Sequence, residues 1–311
     1  YALTGTLNMA DLATRIPEVA EMRTVHTAFA FIVVGVCLKL ALFPLHLWLP
    51  NAYTFAPSAV TALMAATATK VAIYVLIRFI YTVFGPAFAF GDMPTVQLLV
   101  PLAVIGLLST SVVAIGQDKI KRMLAYSSVA QIGYMVLGIG MATSLGLTAA
   151  LLHVFNHALM KGALFLALGC IAYRLGTTQL KVFPGLGRRM PWTMAAFVAG
   201  GLSLIGVPLT VGFISKWYLV LAAIELGWWP IVAVIIVGSL LAVIYIWRVV
   251  EVAYLQPAED DTRCEAPLSL LLPTWLLVGL NFWFGIDTRV TVGIAERAAA
   301  MLTAGLGGGA P

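Results

Sequence analysis

Residues 147–174 read LTAALLHVFNHALMKGALFLALGCIAYR. Until Arg174 this run carries one formal charge, Lys161, and two titratable rings, His153 and His157. A bilayer core of roughly 30 Å needs about 20 mostly apolar residues per helix, and the stretch exceeds that length. It is continuous rather than alternating, which predicts a spanning helix and not a barrel strand. Read outward by the same measure, the chain predicts eight spans, at 25–48, 57–84, 95–116, 123–142, 147–174, 192–222, 228–254 and 267–286.

Composition points the same way. The 311 residues are 61% hydrophobic and 10% charged, with a mean hydropathy of +1.00, whereas soluble domains run at roughly 45–50% apolar and about 25% charged. The expected fold class is all-α, a polytopic transmembrane helix bundle. Only Cys37, Cys170 and Cys264 are present, without C-x-x-C spacing, which excludes a disulfide-stapled secreted scaffold. The net charge of +5 is scattered among apolar stretches, so no nucleic-acid partner is expected. No signal peptide is visible. Tyr1 is not an initiator Met and Tyr1–Met9 reads as a helix end running into a loop, so the chain is read as a fragment lacking an amino-terminal portion.

Cytoplasmic loops carry an excess of Lys and Arg. The connection after the third span holds Lys119, Lys121 and Arg122 against Asp118, and that after the fifth holds Arg174, Lys181, Arg188 and Arg189. Both fall on one side if every span crosses once, and that side is predicted to be cytoplasmic. The acidic loop from Pro257 (PAEDDTRCEAP) falls there too, but acids count little in this rule. Tyr1 and the C-terminus are then on the outer side. Val290–Leu302 is weakly amphipathic and reads as a frayed interfacial helix before Gly-rich Gly305–Pro311.

The informative residues are ionisable groups inside apolar spans. Lys39, Lys70 and Lys161 lie near span centres, and Lys216 in the second half of the sixth. A Lys at the middle of a spanning helix costs ~3 kcal/mol on insertion scales. Snorkelling accounts for Arg78 and Arg248 near span ends, but not for lysines about 15 Å from either interface. His153, His157 and Lys161 fall at i, i+4 and i+8, one stripe of one helix. Such a line, bridged by water, can pass a proton in steps, since His titrates near neutral pH. Zinc is the rival for paired histidines, but no carboxylate or thiolate completes a shell, so no metal is expected. Proline and glycine interrupt two spans, at Pro44 in the first and at Gly206, Pro208 and Gly212 in the sixth, each within a few residues of Lys39 or Lys216. Broken helices often mark ion sites at mid-membrane, and their repetition predicts an internal inverted repeat.

These residues resemble a known family. Lys39-Leu-Ala-Leu-Phe-Pro44-Leu-His46-Leu-Trp48-Leu-Pro50-Asn51-Ala52, then Ala56-Pro57-Ser58 and Lys70-Val-Ala-Ile-Tyr74, look like the signature of the proton-translocating antiporter-like subunits shared by respiratory complex I and Mrp-type cation/proton antiporters. Asp118–Ser128 with Gln131-Ile-Gly133-Tyr134, His153-x3-His157-x3-Lys161 and Gly212-Phe213-x2-Lys216 match further motifs in order, covering about Thr24 to Glu251. The resemblance implies that Lys39 is the broken-helix lysine of an amino-terminal half-channel and that Lys70 links toward the centre. It makes His153, His157 and Lys161 the central relay, Lys216 the terminal residue of the second half-channel, and His46 a secondary site residue. The regions implied are an outer-side loop over 1–24, the end of the first half-channel over 25–84, the second half-channel over 85–254, and an acidic loop, final helix and frayed tail over 255–311.

The phrasing around His46 and Leu159 is most similar to the D-type component of Mrp antiporters, and one complex I paralogue has Glu where this chain has Lys216. The family also places a Glu upstream of the first broken helix as partner of Lys39. Glu18 and Glu21 lie in a predicted loop, so the fragment alone is not expected to move ions. The expected function is proton conduction from Lys39 or Lys70 through His157 and His153 to Lys161 and out by Lys216. The proton is exchanged against sodium in a multisubunit antiporter, or driven by quinone reduction in an NADH-quinone oxidoreductase. Partners are other membrane subunits in a bacterial inner membrane. No cofactor is expected, as the chain has neither a nucleotide-binding glycine fingerprint nor cysteines for a cluster.

Overall fold

The computed structural model describes residues 1–257 and 262–304. The centre of the acidic loop (Glu259, Asp260 and Asp261) and the tail Gly305–Pro311 lie outside the described residues. In chain order the helices are α1 (Met9–Arg15), α2 (Arg23–Leu40), α3 (Trp48–Phe55), α4 (Ser58–Ile77), α5 (Thr95–Ile115), α6 (Ile120–Gly140), α7 (Ser144–Leu175), α8 (Leu186–Arg189), α9 (Pro191–Ile205), α10 (Val211–Glu225), α11 (Trp229–Leu255), α12 (Leu268–Ile286) and α13 (Arg289–Thr303). No strand is present among the described residues.

Seven stretches are long and apolar enough to cross a membrane: α2, α4 with its π-helical extension Arg78–Val83, α5, α6, α7, α11 and α12. The eighth expected span, 192–222, is two shorter helices, α9 and α10, separated at 206–210. The first span breaks in the same way. Its helix ends at Leu40 and restarts at Trp48, so Trp48-Leu49-Pro50 opens α3 rather than closing a span. Proline is tolerated in a first helical turn, where its missing N–H has no partner to lose.

α6 and α7 form the axis. α6 is buried along almost its whole length, and α7, 32 residues long, packs against α4, α6, α9, α10, α12 and α13. A helix enclosed on every side must satisfy its polar groups internally. Ser127, Ser128, Gln131 and Tyr134 on α6 therefore all point into protein.

Two terminal expectations are corrected. Residues 1–24 are not simply a loop: Asn8 Oδ1 accepts the Ala10 N–H at 2.9 Å and starts α1, and a 3-10 turn, Ile16–Val19, leads to α2. The tail is not frayed over 290–302, because Ala295 and Ala299, one turn apart, are buried where α13 packs on α7.

The connections after α5, α7 and α11 meet at one end, as the charge pattern requires. Ile120 N–H donates to Thr178 O at 2.9 Å and Leu180 N–H to Asp118 O at 2.8 Å, zipping the two basic loops together. Cys264 N–H donates to Arg189 O, and Glu265 accepts from the Trp192 N–H at 2.8 Å and from the Thr193 hydroxyl, capping the open amides of α9. Arg248 does not snorkel. It donates to Ile115 O at 2.7 Å and Gln117 O at 3.1 Å, closing the C-terminus of α5, and pairs with Asp118 at 2.7 Å.

Candidate functional site

The second helix break is built by Gly206, with φ +94°, which turns the chain left-handed after Ile205. Gly206 N–H reaches back to Ser203 O and Val207 N–H to Leu202 O, at 3.1 Å each, the pattern of a Schellman motif. That motif leaves the last two carbonyls, Leu204 O and Ile205 O, without backbone partners. Lys216 on α10 takes both, at 3.0 and 2.8 Å, and completes its three donors on Ser239 Oγ at 3.1 Å. Gly212 lets α10 approach so closely, since a Cβ there would stand 1.8 Å from Ser203 O. Lys216 is 6% exposed and lines a side cavity of about 240 Å³ with Phe213, Trp217 and Ser239.

The first break uses the same backbone motif with Ala41 (φ 63°) as its left-handed residue: Ala41 N–H donates to Leu38 O and Leu42 N–H to Cys37 O. The peptide before Pro44 is cis. Trp48 Nε1 donates to Leu38 O at 2.9 Å and ties α3 to the end of α2. Lys39, one residue before that end, is exposed, so its expected burial is not met in this chain. His46 is buried, stacked on Phe43 with centroids 5.4 Å apart and edge-on to Tyr126.

The stripe on α7 is buried as expected. Lys161 is 0% exposed and donates to Leu124 O at 2.8 Å and to the Ser127 hydroxyl, both on α6. His153 bridges two helices: Nδ1 is 2.7 Å from Ser215 Oγ on α10, and Nε2 is 3.0 Å from Gln131 Oε1 on α6. The rings of His153 and His157 stack 6.0 Å apart and nearly parallel, at 5°. Both ring nitrogens of His157 are buried without a protein partner, as is the Thr69 hydroxyl beside Lys70. Buried polar groups of this kind are ordinarily served by ordered water. Lys70 is buried on α4 and donates to Ala65 O.

The structure connects His157, His153 and Lys216 through ring and hydroxyl contacts, with Lys161 one turn further along α7 and Lys70 buried on α4, which packs on α7; Lys39 is exposed. The order differs from the expected one. His153, not Lys161, is next to Lys216, because Ser215 and the ring of Tyr134 stand between them, Tyr134 lying 5.6 Å from the His153 ring and 5.0 Å from Lys216 Nζ. Among the described residues the ion pairs are Arg15–Asp11, Arg248–Asp118 and Arg289–Asp287, and none involves a buried lysine. Carbonyls and hydroxyls replace carboxylates as partners. Sequence reasoning passed over Ser127, Gln131 and Tyr134 as participants, although i, i+4 and i+7 put them on one face of α6. Ser215 and Ser239 gave no signal, being lone hydroxyls in apolar helices.

The chain is thus a bundle of apolar helices long enough to span a membrane, with two Schellman breaks and a row of buried amines and imidazoles. Residues 1–242 match the family described as NADH:quinone oxidoreductase/Mrp antiporter, TM, and the chain belongs to that family. It is 47% identical over 292 residues to NADH-quinone oxidoreductase subunit N of Desulforudis audaxviator, covering 89% of this chain and 58% of that protein. It is 34% identical over 290 residues to the D-type component of the Na(+)/H(+) antiporter of Alkalihalophilus pseudofirmus, covering 92% and 57%. Its fold is similar to a chain of the Mrp complex from Dietzia sp. DQ12-45-1b, with a TM-score of 0.88 at 28% identity over 97% of this chain and 64% of that one. The chain thus spans about three fifths of the length of the curated relatives it matches.

Proposed function

We propose that this chain conducts protons along the buried run, between Lys70 and Lys161 at one end and Lys216 at the other, through His157 and His153. One observation carries the reading: several buried amines and two stacked imidazoles are held by neutral acceptors, without carboxylate counter-ions among the described residues. An ammonium paired with a carboxylate is a static charge, whereas one held by carbonyls can give up its proton without stranding a buried anion. Lys39 has no place in this run, which begins at Lys70.

Two couplings fit. The 47% identity to an NADH-quinone oxidoreductase subunit N favours a redox-driven complex in a bacterial inner membrane. The likeness to a component of a sodium/proton antiporter and to the Mrp complex favours exchange against sodium. In either reading other membrane subunits are partners and the end bearing the basic loops faces the cytoplasm. The test is proton flux in the assembled complex with Lys161→Ala or His157→Ala. Flux is expected to fall to background with assembly intact, and normal flux would make the run a structural feature. Sodium dependence of wild-type flux separates the two couplings.

A further inference from the structure

At the basic end, the junction of α3, α4 and α7 opens into a polar crevice of about 280 Å³. Thr54 and Ser58 line one wall, Lys119 and Lys121 a second, and Thr178 and Gln179 a third. Lys121 is 8% exposed and donates to Ala56 O, which holds its ammonium at the crevice wall. Lys119 is exposed, its amine 5.8 Å from the Phe55 ring centroid. Among the described residues no acid lines the crevice, and neighbouring Asp118 is held by Arg248 at 2.7 Å. Ser58 begins α4 with no side-chain cap, so the positive end of a 20-residue helix adds to the two amines.

Ser58 and Ala172 also line a second cavity of about 320 Å³, which runs on between α4, α7 and α12 past Gly169, Leu166 and Phe165. From Gly176 in the first cavity to Phe165 in the second is 11 residues of chain, roughly 16 Å along a helix. The crevice is thus polar and cationic where the loops are, then apolar down the membrane-facing side. Exposed Phe55, Tyr173 and Trp192 near the same helix ends match the aromatic residues found at a headgroup boundary.

We propose that this crevice is a binding site for an anionic phospholipid, with the phosphate between Lys119 and Lys121 and one acyl chain in the groove beside Gly169. Charge complementarity selects the headgroup and the apolar continuation selects a lipid over a free anion. The site uses none of the residues of the proton run, so it stands or falls separately from it.

The test is native mass spectrometry of the full-length protein, purified in detergent and titrated with phosphatidylglycerol or phosphatidylcholine. Phosphatidylglycerol is expected to bind about 25-fold more tightly, at roughly fivefold for each of the two lysines. Lys119→Gln should remove about fivefold of that preference. Gly169→Leu, at a position where a Cβ meets only Ser58 Cβ at 3.6 Å, should weaken both lipids by filling the groove. Lys121→Gln should act as Lys119→Gln does, and the exposed Lys119 decides the matter if the buried variant fails to fold. Equal binding of the two lipids, a preference unchanged in Lys119→Gln, or glycerol phosphate binding as tightly as the lipid would each overturn the proposal.

Discussion

The two broken helices end in the same backbone motif and differ in what serves the carbonyls it leaves over. After α9, Lys216 returns from the next helix to bond both Leu204 O and Ile205 O. After α2, the only side chain reaching back among the described residues is Trp48, which adds to Leu38 O, an acceptor the motif already uses. Its lysine sits before the break, on the helix whose end it would have to cap, and is exposed. A cation favours a helix C-terminus through the free carbonyls and the macrodipole, and Lys216 reaches them from across the break whereas Lys39 is turned outward. One break is therefore closed by its own lysine, and the other is held by an indole.

That contrast can be broken in measurable ways. The largest effect is expected at Gly212, where Gly212→Ala places a Cβ against Ser203 O; the two half-helices must separate, and stability should fall by about 3 kcal/mol or more. Thermal unfolding in detergent reads this, and a variant as stable as wild type would show that the close approach is not required. Next, Lys216→Met leaves two buried carbonyls unserved and should cost about 2 kcal/mol, while Lys39→Met, at an exposed side chain, should change stability by less than about 0.5 kcal/mol. Equal losses would erase the distinction between the breaks. An effect of opposite sign is expected at Ala41, whose left-handed backbone is strained by its Cβ. Ala41→Gly should stabilise the protein by up to about 1 kcal/mol, whereas the second break already has glycine there.

Much of this architecture could be read from residue patterns, and the exceptions share a cause. Apolar length located the spans, and Pro44, Gly206 and Pro208 marked both interruptions because they alter the backbone itself. The first predicted span ends at 48, where α3 in fact begins, and Pro50 just beyond it fits the first turn of that helix. The stripe His153, His157, Lys161 was legible because all three lie on one helix. Its junction with Lys216 was not, because which end of the stripe α10 meets depends on packing between elements 50 or more residues apart, as in the His153–Ser215 contact. Burial of Lys39 was inferred from its place along a span, but depth in a membrane says nothing about which face of a helix a residue occupies. The α13 helix was underestimated for a similar reason, as its inner face is made of alanines whose weak hydrophobic signal gains meaning only against α7.

The three acceptors around Lys216 match the three hydrogens of an ammonium. A neutral amine has two. Whenever that nitrogen sheds a proton, it must either let go of one terminal carbonyl of α9 or have the Ser239 hydroxyl turn and donate into its lone pair. By the first route, loss of a proton would slacken the joint between the two half-helices; by the second, the Ser239 hydroxyl alone would absorb the change.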